Sequence, residues 1–348
     1  MDADVIIIGH GLAGATLAWS LHWRGWRVKV IDRDETVTSS KVAAGIVTPI
    51  SGKRVARGWR IDEFLPAARD FYARTESELG SAFYHPLPYV RMLQTDDERR
   101  RWREKKGEPE FQRLLTQPQP APILDHRLFH APETGLEVRS AWLDVRAWLA
   151  ASQRFLKQRG NWITGEVPAG DISLTAEAVC VGGLTARYLV LCQGWEAAKN
   201  PFFPWLKWKS AKGEILSFQA PKLTEHRIVN LGGWILPTGK RSLFRTGSTY
   251  KWDDFSNLPT AAARKTIESR LHRALKVPFT ITGHEAAVRP IINESKAVLG
   301  LHPVHQRLGF FNGLGSKGVL HAPFFATRFA ALLTERVPLD YEVDVCRN

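Results

Sequence analysis

Cysteine is scarce: the 348-residue chain carries three, Cys180, Cys192 and Cys346. An odd number without metal-ligand spacing argues against a disulfide framework and a cysteine-bound metal, so no metal centre is expected and the thiols are read as buried or free. Long apolar runs are also missing. None approaches the ~18–20 residues of a membrane-spanning helix, and the chain reaches its first apolar strand without a basic leader or cleavage site. No membrane association and a cytoplasmic location are therefore expected. No internal repeat is present. Acids fall short of bases, 35 against 48, giving a formal charge of +13; polyanions become plausible partners, although net charge bears on association and not on fold. With 44% hydrophobic residues the chain can bury a substantial core and divide into two domains.

What is present is organised around residues 5–32, VIIIGHGLAGATLAWSLHWRGWRVKVID. A β-branched run, Val5 to Ile8, leads into Gly9, Gly11 and Gly14 in the spacing GxGxxG, with Leu12 and Ala13 between them, and a helix follows. Gly9 permits the tight turn, Gly11 the close approach of a pyrophosphate, and Gly14 the packing of helix on strand. The helix start offers unpaired amides and the positive end of its dipole to anionic oxygens. Asp32, with Arg33 beside it, ends the next strand about 20 residues on, where an acid accepts hydrogen bonds from a ribose and repels a 2′-phosphate. FAD or NAD(H) is favoured over NADP(H).

Further along, residues 39–53, SSKVAAGIVTPISGK, are rich in small side chains that let a loop lie close to a bulky ligand. Residues 62–79 and 141–159 carry helical apolar spacing. Residues 99–106, RRRWREKK, preceded by Asp96, Asp97 and Glu98, read as a solvated helix face or as a phosphate-contacting patch with Trp102 available to stack on a base. QPQPAP at 117–122 is a proline-punctuated connection. Gly194 follows an apolar strand that ends at Cys192, read as a packing residue. KGEILSF, from Lys212, opens a β-rich section, interrupted by a helix at 259–275 with Thr260 as its N-cap.

VIIIGHGLAG, Asp32 and AAGIVTP together, with GHEAAVRPIINESKAVLGLHP and LGFFNGLGSKGVLHAP near the C-terminus, resemble the FAD-dependent family of D-amino-acid oxidase, glycine oxidase and sarcosine oxidase. The resemblance implies an α/β fold: a Rossmann-like FAD-binding domain of the glutathione-reductase type (1–81, 138–210 and 291–348) with an inserted antiparallel-sheet substrate domain (82–137 and 211–290). It also implies FAD, contacted by Ser39, Ser40, Ala44, Gly45, Ile46, Gly194 and Gly315; the flavin is expected to be non-covalent, since none of the three cysteines sits in a motif tied to the flavin ring and His10 reads as a turn residue. Amides of Ser316, Lys317 and Gly318 would face the pyrimidine side of the flavin. Arg289 falls at the position that binds a substrate carboxylate, a task its planar fork suits, and Trp234 and Tyr250 fall at pocket walls. The sequence departs from the family at Asn293, Glu294, Ser295 and Lys296, where an acid, glycine and proline turn is usual, which puts the substrate in question.

The implied activity is oxidation of a C–N bond in a small carboxylated amine such as glycine or sarcosine. The chain is similar also to the oxidase domain of the bifunctional enzyme that modifies the tRNA wobble uridine. The charge, the 99–106 run, Lys207, Lys209 and Lys212 leave tRNA open as a partner, and the absence of a recognised RNA-binding fold stands against it. A flavin-binding protein without turnover is the third reading.

Overall fold

The computed structural model describes residues 1–51, 55–116, 124–132, 134–292 and 296–347. Lys53, the 117–122 connection and Asn293, Glu294 and Ser295 lie outside these. The strand Ala3–Ile8 pairs in parallel with Val28–Asp32 and with Leu184–Leu191. Trp162–Thr164 extends the parallel array on one side and Leu308–Asn312 on the other. The antiparallel strands Val179–Val181, Ile172–Leu174 and Val298–Leu301 complete an eight-stranded sheet. Such strands are covered on both faces and so read as unbroken apolar runs. Val5 and Ile7 enter one core cluster and Ile6 and Ile8 the opposite one.

The helix Leu12–His22 is apolar on every side because it is enclosed: Leu12 to Leu21 are all buried, with the last helix, Gly318–Glu335, packed against it. Two glycines of the turn are required sterically. Gly9 has φ +99°, and a Cβ there would lie 2.4 Å from the Cys192 carbonyl oxygen; a Cβ at Gly14 would lie 1.9 Å from the Gly9 carbonyl oxygen.

A second, seven-stranded sheet runs in the order Thr280–Arg289, Ala211–Gln219, Leu243–Gly247, Trp234–Pro237, Ile228–Asn230, Tyr89–Met92 and Gly135–Val138. Its pairings are antiparallel except for Ile228–Asn230 with Tyr89–Met92. Thr260 caps the helix Ala261–Ala274 by accepting from the Ala263 amide, as its sequence implies. The two sheets are fastened across the loop after Val28–Asp32. Arg245 of the second sheet donates to the Val42 and Ala43 carbonyls at 2.8 and 3.0 Å, and Arg146 pairs with Glu285.

The 99–106 run does not present a stacking platform. It lies in the helix Asp96–Lys105, capped reciprocally by Thr95 and Glu98. Trp102 is only 2% exposed and packs on Phe111, because it is the one apolar residue with which this charged helix can dock. Arg99 pairs with Asp96, Arg100 with Asp97 and Glu104, and Arg101 with Asp97. Lys212 is likewise unavailable to a surface partner: it is fully buried and bonds Asp254 at 2.8 Å and Ser256 at 3.1 Å.

Candidate active site

Between the sheets lies a cavity of about 700 Å³, well within the ~300–1,000 Å³ of small-molecule and cofactor sites. Its dinucleotide end is built by the first turn and the loop after the second strand. Asp32 is held in place by two backbone donors, the His10 amide on Oδ2 at 2.6 Å and the Asp34 amide on Oδ1 at 2.8 Å. A carboxylate has about four acceptor positions, so two remain for ribose hydroxyls. Ser40 Oγ accepts from the Leu12 amide at 3.0 Å, which clamps the 39–42 turn onto the helix start. Gly45, at φ +81°, admits no side chain, since a Cβ would lie 2.0 Å from the Leu143 carbonyl oxygen. Arg33 pairs with Glu35, Glu166 and Glu196 at the rim.

Both helices that open onto the cavity, Leu12–His22 and Gly318–Glu335, start without a cap from their N-cap side chain and without an acid in the first turn. Apart from the Leu12 amide, which Ser40 already takes, their positive ends therefore remain available to anionic oxygens. Lys317 stands at the start of the last helix, its ammonium pushed down by burial. One turn on, burial, with Lys317 nearby, drives His321 down to about 3, so it is neutral. A diphosphate beside one helix start and a flat ring that gains negative charge beside the other would both be stabilised, and a flavin dinucleotide fits this arrangement. Cys192 lines the wall as a buried thiol whose pKa burial raises.

The opposite end belongs to the second sheet. Arg289, half-buried at the end of Thr280–Arg289, donates to Ser248 Oγ at 2.8 Å and to the Thr249 carbonyl at 3.1 Å, and its guanidinium lies 4.2 Å from the Tyr250 ring centre. Among the described residues no carboxylate pairs with it, and burial pushes its pKa down. A buried cation without a counter-ion is costly, and an incoming carboxylate removes that cost. Trp234 and Tyr250 also line the cavity.

The structure thus brings the sequence-derived residues to one cavity wall, Gly14 excepted: it faces the Gly9 carbonyl and serves packing. Residues the sequence did not single out also line it, among them Gly213, Arg91, Asn230, Ser248 and Arg270. Gly213 carried a usable signal, since a lone glycine inside a strand often marks a close approach. Arg270 carried none, as it sits in an ordinary amphipathic helix. Among the described residues no cluster of three or more His, Cys, Asp or Glu could hold a metal, and no helix is long and apolar enough to cross a membrane.

The profile of the DAO family, described as FAD dependent oxidoreductase, matches residues 4–332. Glycine oxidase of Pseudomonas putida is 23% identical over 97% of this chain and 96% of its own length. The tRNA 5-methylaminomethyl-2-thiouridine biosynthesis bifunctional protein MnmC of Burkholderia mallei is 26% identical over 98% of this chain, which spans 58% of that protein. The crystal structure of glycine oxidase from Geobacillus kaustophilus superposes with a TM-score of 0.82 at 19% identity, over 99% of both chains, which identifies the fold. Matched over nearly its whole length, this chain belongs to the DAO family of FAD-dependent oxidoreductases.

Proposed function

We propose that the protein oxidises the C–N bond of a small carboxylated amine of the glycine or sarcosine kind, giving an imine that water hydrolyses. The observation that carries this reading is the Arg289 guanidinium, which faces the cavity with no carboxylate partner among the described residues. Bound FAD would supply the redox chemistry, as the acceptor of a hydride from the C–N carbon. Arg289 binds the substrate carboxylate and fixes the α-carbon; Trp234 and Tyr250 wall the amine; the Lys317 ammonium and the last helix start stabilise negative charge as the cofactor is reduced. No side chain need act as general base if the amine binds neutral. Oxygen is taken as the electron acceptor because the relatives just named include glycine oxidases. The test is anaerobic mixing with glycine, sarcosine and related amines, followed by admission of oxygen. Bleaching and then recovery of the flavin spectrum are expected, and no bleaching by any carboxylated amine would overturn the reading.

A second reading, an amine carried on tRNA, is favoured by a different surface from the 99–106 helix. Tyr250, Trp252 and Phe255 are 49%, 50% and 46% exposed; Tyr250 stacks on Trp252, and Trp195 on Phe255. Lys209 lies over Trp252 and Lys199 over Trp195. Aromatic faces interleaved with lysines suit single-stranded nucleic acid, and Tyr250 connects this patch to Arg289. Flavin reduction that requires tRNA would favour this reading over the small amine.

A further inference from the structure

The substrate end of the cavity contains a second guanidinium that the carboxylate reading leaves without a task. Arg270 reaches from the helix Ala261–Ala274 to the cavity wall. Its one hydrogen bond among the described residues goes from Nη1 to the Ser248 carbonyl at 3.1 Å, and no carboxylate there pairs with it. Arg289 holds the same residue through Ser248 Oγ at 2.8 Å. The two cations are thus anchored side by side on one residue. A guanidinium has five N–H donors; Arg270 spends one on the protein and Arg289 two. Gly233 abuts Arg270: a Cβ there would lie 3.7 Å from Arg270 Cδ, an ordinary contact, and 3.2 Å from the Gly247 carbonyl oxygen.

The third arginine of this wall, Arg91, does not share the property. It is 7% exposed and paired with Glu98 at 2.6 Å, so that pair adds no net charge. The substrate end therefore presents two uncompensated cations. One carboxylate satisfies Arg289, and Arg270 remains.

We infer that the preferred substrate is an amine bearing two acid groups, the first on Arg289 and the second on Arg270, which makes Arg270 a specificity-determining residue. This rests on the carboxylated-amine reading above. The second acid can be carried on the nitrogen substituent or on the side chain, and matched unreactive ligands separate these sources. Thiodiacetate against methylthioacetate represents the first, succinate against butyrate the second. Dissociation constants would be read on the FAD-loaded protein from flavin difference spectra.

In the wild type, the dianion of one pair should bind about ten- to a hundredfold more tightly than its monoanion, as a charge-assisted fork provides. R270Q should bring that ratio toward one, and R270K, which keeps the charge without the fork, should retain part of it. A wild-type ratio near one in both pairs overturns the inference whether or not the variants fold, and so does a ratio that R270Q leaves intact. If monocarboxylated amines bleach the flavin and dianions gain nothing, this inference alone fails; if no carboxylated amine bleaches it, the reading beneath it fails.

Discussion

The guanidinium of Arg289 lies flat against the backbone of Gly213: a Cβ placed on Gly213 would stand 2.1 to 2.2 Å from its Cζ, Nη1 and Nη2. The obstructed atoms are the free end of a flexible side chain, so a methyl group there displaces the guanidinium and need not unfold the strand. G213A should therefore resemble R289A. Loss of a charged hydrogen bond is worth about 1.5–3 kcal/mol, or roughly ten- to more than a hundredfold in kcat/KM for a carboxylated amine. Both variants should retain flavin. Stopped-flow reduction by sarcosine decides it, and wild-type kinetics in G213A would mean that Arg289 is not held where it must act.

Asp32 ties the glycine turn to the cofactor end through the His10 and Asp34 amides. D32A leaves both donors without that acceptor and removes the carboxylate proposed to accept from the ribose. The FAD dissociation constant should rise by about ten- to a hundredfold, and denatured wild-type protein should release its flavin to the supernatant. Equilibrium titration of apoprotein with FAD measures the first and absorbance after acid precipitation the second. An unchanged affinity would remove Asp32 from the ribose site.

Two buried histidines should make the fold acid-sensitive. Burial pushes His10 down to about 4, against an opposing pull from Asp32, and His321 down to about 3. Both folded values are depressed below the ~6.5 of an unfolded histidine. The unfolded state therefore binds more protons as pH falls below about 6.5, and stability declines until the folded values are reached. For His10 the loss is on the order of a few kcal/mol by pH 4. H10N should flatten the dependence of Tm on pH between about 6.5 and 4. Parallel curves for wild type and variant would show that His10 is not buried neutral.

The nucleotide end was legible in the sequence because its chemistry is local. Gly9, Gly11 and Asp32 lie at a turn, a helix start and a strand end within one βαβ unit, and their spacing fixes their places. The substrate end is assembled by register. Arg289 meets Ser248 and Gly213 only because Ala211–Gln219 pairs with Thr280–Arg289 on one side and Leu243–Gly247 on the other. No local pattern states that pairing, and family resemblance alone pointed to Arg289. Arg270, Asn230 and the Arg91–Glu98 pair had neither guide. Trp102 misled for the same reason: a tryptophan among arginines reads alike whether it faces solvent or Phe111, and only the tertiary contact decides.

If tRNA docks on this protein, the lysines beside the exposed aromatics should carry the interaction and the 96–105 helix should not. Arg99, Arg100 and Arg101 are each paired with acids of their own helix, so a phosphate must compete with a carboxylate already in place. Lys199 and Lys209 are exposed and rest on Trp195 and Trp252, where a base and its phosphate can be met together. Each phosphate neutralised contributes about −0.7 to −0.9 to the slope of log K against log salt. K199E/K209E should therefore weaken tRNA binding and flatten the slope by up to about two, while R99E/R100E/R101E changes the slope little. Filter binding across a salt series with wild type and both variants gives the answer. Equal slopes in wild type and K199E/K209E would exclude the aromatic patch as a docking surface, and a flattened slope in the arginine variant alone would return the interaction to the helix.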